Sequence, residues 1–290
     1  MTQPPATPLP HHTADGSEDA PPLLLGPSLG TSLAVWDPQL RSLARHHRVI
    51  RWDLPGHGGT PAGVLGAGPA PTTTVPGLAR LVLGLADALG IDRFAYAGIS
   101  LGGAVGAWLA AHHPERIASL ALLCSSARFG EPAGWHERAA LVRETGLGPI
   151  ADAAAGRWFT PAFAGTPQAR ALVGAVRRTV TPAGYAACCD ALAAYDLRAG
   201  LARITAPTLV VAGRDDPATP PAHARELADG IADARLLELP GAAHLANVER
   251  PAPVRDALLA HLAAHPDHGS PAAAPGPGAP APHPAEGTAQ

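Results

Sequence analysis

Apolar and polar positions follow two patterns along the chain, each typical of one kind of element. Continuous apolar runs predict strands covered on both faces, and apolar positions that recur on one helical face predict helices. Between 75 and 89, positions 78, 81, 82, 85 and 89 share one such face. Because strand and helix alternate, we predict an α/β fold with a mostly parallel sheet and helices on both faces. The predicted strands are 23–25, 48–52, 93–97, 117–124, 208–213 and 234–239, and the helices beside them are 36–45, 75–89, 104–111, 221–230 and 251–264.

The alternation stops between 128 and 199, where the chain shows amphipathic segments and no convincing strand. These segments are 135–146, 149–159, 167–180 and 182–195, separated by Gly-Pro or Thr-Pro pairs. A helical block inserted after a strand end lies over the carboxyl edge of the sheet, as a lid. We therefore predict a core of residues 15–127 and 200–264, with an inserted helical lid of residues 128–199.

The two ends of the chain differ in composition from this core. Residues 1–14 begin with a proline-rich stretch and are predicted to form a flexible N-terminal segment. Residues 265–290 consist almost wholly of Pro, Ala, Gly and His, which predicts a disordered tail or linker. The dipeptide Asp15-Gly16 favours a tight turn, and we expect residues 11–19 to close a first hairpin.

Composition narrows the classes of function. The 290-residue chain carries a formal charge of −3, so it lacks the basic surface that nucleic acid requires. All 21 cationic residues are arginine, which excludes a Schiff-base lysine and a P-loop lysine. Cys124, Cys188 and Cys189 show no metal-ligand spacing and are expected to be reduced core residues. With no signal-peptide pattern and no run of membrane-spanning length, we expect a soluble cytoplasmic protein with no membrane partner.

Ser100 is the candidate nucleophile. It stands in Gly98-Ile99-Ser100-Leu101-Gly102, between a predicted strand and a predicted helix. A serine on so tight a turn has a strained backbone and a hydroxyl that stands clear of the sheet. The turn also places the Leu101 amide at a helix N-terminus, where it can stabilise a developing oxyanion.

A serine hydroxyl needs a base, and the base needs a group that orients it. His244 is the candidate base, because it follows the last strand in a loop of small residues where little but catalysis explains an imidazole. Asp216, which precedes Pro217, is the candidate acid, with its neighbour Asp215 as the alternative. His57 also lies in a loop after a strand, and we interpret it as a residue that braces that loop.

A second oxyanion donor is expected in the loop after the first apolar strand. A backbone N–H there can point at the same oxygen as the Leu101 amide. We assign it to Leu29, with Ser28 as the alternative. The contribution comes from the backbone, so it does not depend on the side chain at either position.

These residues together resemble the α/β-hydrolase superfamily over about residues 15–264, in the chain order Ser…Asp…His. Further motifs are similar to those of 3-oxoadipate enol-lactonases of the β-ketoadipate pathway. Four of these motifs lie in the core: Ser28-Leu29-Gly30-Thr31 with Trp36-Asp37, Asp53-Leu54-Pro55-Gly56-His57-Gly58, Asp216-Pro217-Ala218-Thr219-Pro220-Pro221, and His244-Leu245-Ala246-Asn247-Val248-Glu249. Three lie in the lid: Trp135, Arg157-Trp158-Phe159-Thr160-Pro161, and Gly184-Tyr185 ahead of Cys188.

The resemblance implies an α/β-hydrolase fold and hydrolysis of a small enol-lactone to 3-oxoadipate, with no metal and no cofactor. Such a substrate carries a carboxylate, for which Arg128, Arg138 and Arg157 are candidate ligands under the lid; the alternative for each is a solvated surface or ion-pair residue. Trp135 is a candidate cover for the substrate, and the alternative is a core tryptophan. The resemblance further implies that the chain is either a free lactonase or the front half of a fusion with a carboxymuconolactone decarboxylase domain.

Two other classes of function stay open at this point. One is a different serine hydrolase on the same fold, namely a carboxylesterase, a C–C bond hydrolase or a perhydrolase. The other is a non-catalytic ligand-binding protein, although a receptor has no need of Ser100, Asp216 and His244 together.

Overall fold

Seven strands form a single sheet in the order β1-β3-β2-β4-β5-β6-β7, and only the β1–β3 pair is antiparallel. The computed structural model describes residues 9–65 and 73–266. The strands are β1 (His12–Asp15), β2 (Pro22–Gly26), β3 (Arg48–Trp52), β4 (Phe94–Ile99), β5 (Ile117–Leu123), β6 (Thr208–Gly213) and β7 (Ala234–Leu239). The predicted fold class, with its mostly parallel sheet, is confirmed.

The central strands are buried along their whole length because both faces of the sheet are covered. Every residue of β4, β5 and β6 is buried. The helices of the core are α1 (Asp37–Leu43), α2 (Val75–Ala88), α3 (Leu101–His112), α9 (Pro221–Gly230), α10 (Ala246–Glu249) and α11 (Pro251–Ala264). Helix α3 packs on β2, β4 and β5, whereas α9 packs on β6 and β7. This layering accounts for the alternation seen in the sequence.

The register of the sheet brings the ends of the parallel strands to one edge. Gly26 at the end of β2 pairs with Gly98, and Ile99 at the end of β4 pairs with Leu123. The loops that follow these strands therefore meet at the same edge. Ligands of open parallel sheets bind at this carboxyl edge.

The segment between β5 and β6 is helical, as the sequence pattern predicts. It contains α4 (Pro132–Thr145), α5 (Gly148–Trp158), α6 (Pro161–Ala164), α7 (Pro167–Thr179) and α8 (Pro182–Ala193). A proline stands in the first turn of each of these helices, where its missing N–H costs nothing. Thr166 and Thr181 each accept a hydrogen bond from the first turn of the helix that follows.

The predicted first hairpin is wrong. The chain does turn at Gly16, with φ of +95°, but β1 pairs with β3 and not with the strand that follows it. Both edges of β2 are occupied by parallel neighbours, β3 and β4, so β1 joins the sheet at its free edge. The strand begins at His12, inside the segment 1–14 predicted to be flexible.

Some predictions concern parts of the chain that the structure does not describe. The proline-rich residues 1–8, part of the loop after β3 (66–72) and the tail from 267 to 290 lie outside the described residues. Within the described residues, no helix is both long enough and apolar enough to cross a membrane. Cys124, Cys188 and Cys189 are buried and form no disulfide.

Candidate active site

Ser100 occupies a strained turn between β4 and α3. Its φ of 56° and ψ of −119° lie where L-residues are rarely found. The Ser100 N–H donates to the Leu123 carbonyl at 2.9 Å, and its own carbonyl accepts from the Ser125 hydroxyl at 2.8 Å. These contacts with the end of β5 hold the backbone in the strained conformation. The predicted strand–turn–helix setting of the serine is therefore present.

Two glycines make this turn sterically feasible. A Cβ on Gly98 would lie 2.2 Å from the Gly102 carbonyl oxygen, and a Cβ on Gly102 would lie 2.4 Å from the Gly26 carbonyl oxygen. Both distances are far inside van der Waals contact. The start of α3 can therefore approach the end of β2 only because Gly102 has no side chain. The Gly102 N–H donates to the Pro27 carbonyl at 3.0 Å and fixes that approach.

The two predicted oxyanion donors stand beside this contact, since Leu101 precedes Gly102 and Leu29 follows Pro27 by two residues. Leu29 and Leu101 are both buried, and neither backbone N–H donates to any of the described residues. The N–H of Ser28, the alternative donor, is also without a protein acceptor within the ranges that the structure describes. Unpaired buried N–H groups are rare in proteins, and at a nucleophile turn they are suited to a developing negative charge.

His57 makes the bracing hydrogen bonds favoured by the sequence analysis. Its Nε2 accepts from the Gly30 N–H at 3.1 Å, and its Nδ1 lies 2.9 Å from the Pro55 carbonyl. A neutral ring with its hydrogen on Nδ1 satisfies both contacts. Burial lowers the pKa of His57 to about 4, so the ring is neutral near pH 7. It holds the residue next to Leu29 and takes no proton itself.

Asp216 and His244 are brought together as predicted. His244 Nδ1 lies 2.9 Å from Asp216 Oδ2, whereas Asp215 is exposed. Asp216 also accepts from the Ala218 N–H at 2.7 Å and from the Thr219 N–H at 3.0 Å and hydroxyl at 2.7 Å. Burial alone raises the pKa of this carboxyl, but the His244 ring and the Thr219 donors outweigh it and hold the pKa below its usual range.

The charge on Asp216 fixes the tautomer of His244. An ionised carboxylate accepts hydrogen bonds only, so the ring hydrogen lies on Nδ1 and Nε2 keeps its lone pair. His244 and Ser100 border the same cavity, about 30 Å³ in volume. Leu29 also lines this cavity, in the loop after β2 that carries Pro27, Ser28 and Leu29 and is called the oxyanion loop below. The arrangement therefore supplies the kinds of group that acyl transfer requires, a serine hydroxyl and an imidazole with a free lone pair on Nε2.

Three of the four predicted substrate ligands line this cavity. Trp135 and Arg138 reach it from α4, and Arg157 reaches it from the end of α5. The same three residues also line an outer cavity of about 330 Å³. They therefore form the wall between the reactive groups and the outer cavity. Arg138 lies over the Trp135 ring at 5.5 Å, within range of a cation–π contact.

Arg128 is not placed in the site, and its predicted role is corrected. Its guanidinium pairs with Glu131 Oε2 at 2.8 Å, and the residue lines neither the inner nor the outer cavity. Arg128 precedes α4, so its side chain pairs locally with an acid three residues ahead. Its position in the predicted lid could not distinguish this pairing from a ligand role.

The His244 loop is fastened to the lid by a residue that sequence reasoning did not single out. The buried Glu249 carboxylate accepts from the Ala243 N–H at 2.9 Å and from the N–H and hydroxyl of Thr160. The Leu245 N–H donates to the Trp158 carbonyl at 3.0 Å. The backbone on both sides of His244 is thus bonded to the segment that follows Arg157.

A second fastening joins the lid to the loop that carries His57. The Gly58 N–H donates to the Thr179 carbonyl at 2.7 Å, and the Thr181 N–H donates to the Gly56 carbonyl at 2.8 Å. His57 and Val180 form the bridge between these bonds. The junction of α7 and α8 therefore belongs to the same rigid edge as the oxyanion loop.

The structure also adds Thr219 to the acid–base pair. Its two donors to Asp216 follow from a spacing of three residues, which is common where a carboxylate accepts from its own turn. That spacing was visible in the sequence. The role of Glu249 could not be seen in the sequence, because a buried acid five residues beyond His244 has no local signature.

Comparisons with known proteins agree with the observed fold. Residues 21–251 match a family model described as the alpha/beta hydrolase fold. The chain is 39% identical over 237 residues to 3-oxoadipate enol-lactonase 2 of Acinetobacter baylyi, covering 81% of this chain and 86% of that protein. It is 35% identical over 268 residues to a putative carbamate hydrolase RutD of Variovorax paradoxus, covering 90% of this chain and 99% of that protein. The solved structure of the enol-lactonase from Burkholderia xenovorans LB400 superposes with a TM-score of 0.80 and 38% identity, over 87% of this chain and 96% of that one.

The first prediction concerns the acid. Asp216→Asn should lower kcat for hydrolysis of p-nitrophenyl acetate by about 10³–10⁴-fold, because an amide cannot hold His244 in the required tautomer. Asp215→Asn is the matched control and should leave kcat unchanged, since that side chain is exposed. Equal losses in the two variants would contradict the assignment.

The second prediction concerns pH and His57. Between about pH 6.5 and pH 4, His57 is protonated in the unfolded chain but neutral in the folded protein, where its pKa is about 4. The free energy of unfolding therefore falls as the pH is lowered through this range. The loss approaches roughly 3 kcal/mol for this residue. Denaturant titrations of His57→Gln at several pH values should show a flatter dependence than those of the parent chain.

His261 supplies the comparison for that measurement. Burial, followed by the nearby His265, lowers its pKa to about 4 as well, and it lines a cavity that shares no residue with the reactive one. His261→Gln should flatten the pH dependence of stability and leave the rate of ester hydrolysis unchanged. His57→Gln should flatten the pH dependence of stability and also lower the rate of ester hydrolysis. An unchanged pH dependence in His57→Gln would refute the buried neutral ring.

Proposed function

The chain belongs to the α/β-hydrolase family, and we propose that it is a serine hydrolase that opens the lactone ring of 3-oxoadipate enol-lactone to give 3-oxoadipate. Its general class, a hydrolase of esters or lactones, follows from the family and from its enol-lactonase relatives. The proposal adds the substrate. It rests on the charge that surrounds the reactive groups.

The observation that carries the proposal is a pair of cavity-lining arginines that form no ion pair with an acidic side chain among the described residues. Arg138 and Arg157 line the reactive cavity, and neither forms an ion pair with any acid among the described residues. Burial, followed by the Arg138 charge, lowers the pKa of Arg157. Two neighbouring cations that are partly removed from water lack a countercharge, and an anionic ligand supplies it.

A lactone with a carboxylate arm suits this arrangement. The arginines lie on the wall shared by the inner and outer cavities, and the predicted nucleophile lies on the inner side. A carboxylate held by Arg138 and Arg157 leaves the ring directed towards Ser100. Trp135 supplies an apolar wall beside both groups.

The chemistry then follows from the groups already described. Ser100 Oγ attacks the ring carbonyl carbon while its proton passes to His244 Nε2, and Asp216 stabilises the imidazolium that results. The carbonyl oxygen takes up the negative charge and accepts hydrogen bonds from the Leu29 and Leu101 amides. Collapse of this intermediate breaks the bond between the carbonyl carbon and the ring oxygen.

The leaving group explains why an enol-lactone is a favourable substrate. The departing ring oxygen is an enolate, a far better leaving group than an alkoxide, and it takes the proton from the His244 imidazolium. The enol tautomerises to the ketone. Water then attacks the acyl-enzyme with His244 as general base, which frees Ser100 and the second carboxylate of 3-oxoadipate.

The third prediction is the direct assay. Purified protein should remove the ultraviolet absorbance of the enol-lactone with a kcat/KM about 100-fold above that for p-nitrophenyl acetate, because only the lactone presents a carboxylate to the arginines. Ser100→Ala should abolish both activities. Faster turnover of a simple ester, or of a carbamate as the likeness to the RutD proteins would suggest, would overturn the lactone assignment.

The fourth prediction tests the arginines themselves. Arg138→Gln and Arg157→Gln should each raise KM for the enol-lactone by about 10–100-fold, the loss expected for a charged hydrogen bond. Both should change kcat/KM for the neutral p-nitrophenyl acetate by less than about twofold. Arg128→Gln is the matched control, because that residue pairs with Glu131 away from the cavity.

A parallel loss with both substrates would contradict a carboxylate role. It would show that the arginines support the structure of the site. Thermal unfolding of each variant separates that outcome from a general loss of stability.

A further inference from the structure

Ser28 carries a buried hydroxyl for which the protein provides no partner. The residue is 1% exposed, and its Oγ makes no hydrogen bond to any of the described residues. It lines the cavity bordered by Ser100, Leu29 and His244. A buried polar group without a partner destabilises the folded state, so its retention beside reactive groups needs an explanation.

The backbone of Ser28 is fixed independently of that hydroxyl. Its carbonyl accepts from the Thr31 N–H at 3.0 Å and from the Thr31 hydroxyl at 2.8 Å. The preceding carbonyl, that of Pro27, accepts from Gly102 at the start of α3. The side chain therefore contributes nothing to the hydrogen bonding of its own loop, which removes the most common structural role of a loop serine.

The position of the hydroxyl along the chain is informative. Only the Ser28 backbone separates its Oγ from the Leu29 N–H, so the two donors can converge on one acceptor. The Leu101 N–H approaches the same region from α3, because Gly102 and Pro27 are bonded.

We propose that the Ser28 hydroxyl is a third donor of the oxyanion hole. Its O–H donates to the negative oxygen of the tetrahedral intermediate, beside the backbone N–H groups of Leu29 and Leu101. The hydroxyl gains a full partner only when charge develops on that oxygen. It therefore stabilises the transition state more than the bound substrate, which raises kcat and leaves KM nearly unchanged.

This role rests on acyl transfer at Ser100 and does not depend on which lactone or ester is cleaved. If the hydroxyl instead recognised the lactone ring, its removal would raise KM for the lactone alone. If its role were purely structural, its removal would change the stability of the protein. The three roles therefore have different kinetic signatures.

The fifth prediction compares two buried serines. Ser28→Ala keeps the backbone N–H of residue 28 and removes only the hydroxyl. It should lower kcat by about 100-fold for both p-nitrophenyl acetate and the enol-lactone, with KM changed less than about threefold. Ser119→Ala is the matched control: Ser119 is fully buried in β5, its hydroxyl also lacks a partner among the described residues, and it does not line the cavity. That control should keep kcat at the level of the parent chain.

A binding measurement completes the test. Phenylboronic acid forms a tetrahedral adduct with an active serine, so its inhibition constant should rise in Ser28→Ala by roughly the same factor as kcat falls. Affinity for the product 3-oxoadipate, which forms no tetrahedral adduct with Ser100, should not change.

Three results would overturn the proposal. They are an unchanged kcat in Ser28→Ala, a loss confined to the lactone or to KM, and an equal kcat loss in Ser119→Ala. The ester and boronate measurements also separate this proposal from the assignment of substrate. If the enol-lactone is not turned over at all, the lactone assignment fails while the ester still reports on Ser28.

Discussion

The chemistry at the sheet edge depends on one close contact between two pieces of backbone. The start of α3 lies against the end of β2, because Gly102 presents no Cβ to Gly26 and its N–H bonds to Pro27. This contact brings the oxyanion loop beside the strained turn of Ser100. The candidate nucleophile and the candidate oxyanion donors thus occupy fixed positions before any ligand arrives, which is the condition for electrostatic stabilisation without reorganisation.

The two groups of hydrogen bonds described above join the lid to the same edge. Glu249 and Leu245 bind the end of α5 to the His244 loop, and the Gly56–Gly58 backbone binds the α7–α8 junction to the loop of His57. Arg157 stands at the first of these groups, so the position of its backbone relative to the His244 loop is set by the hydrogen bonds of Glu249 and Leu245. The group that would hold a substrate carboxylate and the group that would act as base are therefore positioned by a shared support.

Local signals account for what the sequence predicted. The apolar runs gave the parallel strands, and the small-residue turn at Ser100 and the loops of Asp216 and His244 pointed to one edge. The partner of β1 was missed because a turn signal reports where a chain reverses and not which strand it joins. Arg128 and Arg157 look alike in the sequence, and only three-dimensional packing shows that one meets Glu131 and the other the cavity.

Helix α4 differs from the rest of the lid in what supports it. It packs mainly against α8, while the hydrogen bonds to the core come from the end of α5 and from the α7–α8 junction. Yet α4 supplies Trp135 and Arg138 to the cavity wall. Substitutions along this helix can therefore reshape the cavity while the candidate catalytic residues Ser100, Asp216 and His244 stay where they are. In an evolving lineage, such a division lets substrate preference drift without a penalty in catalytic competence.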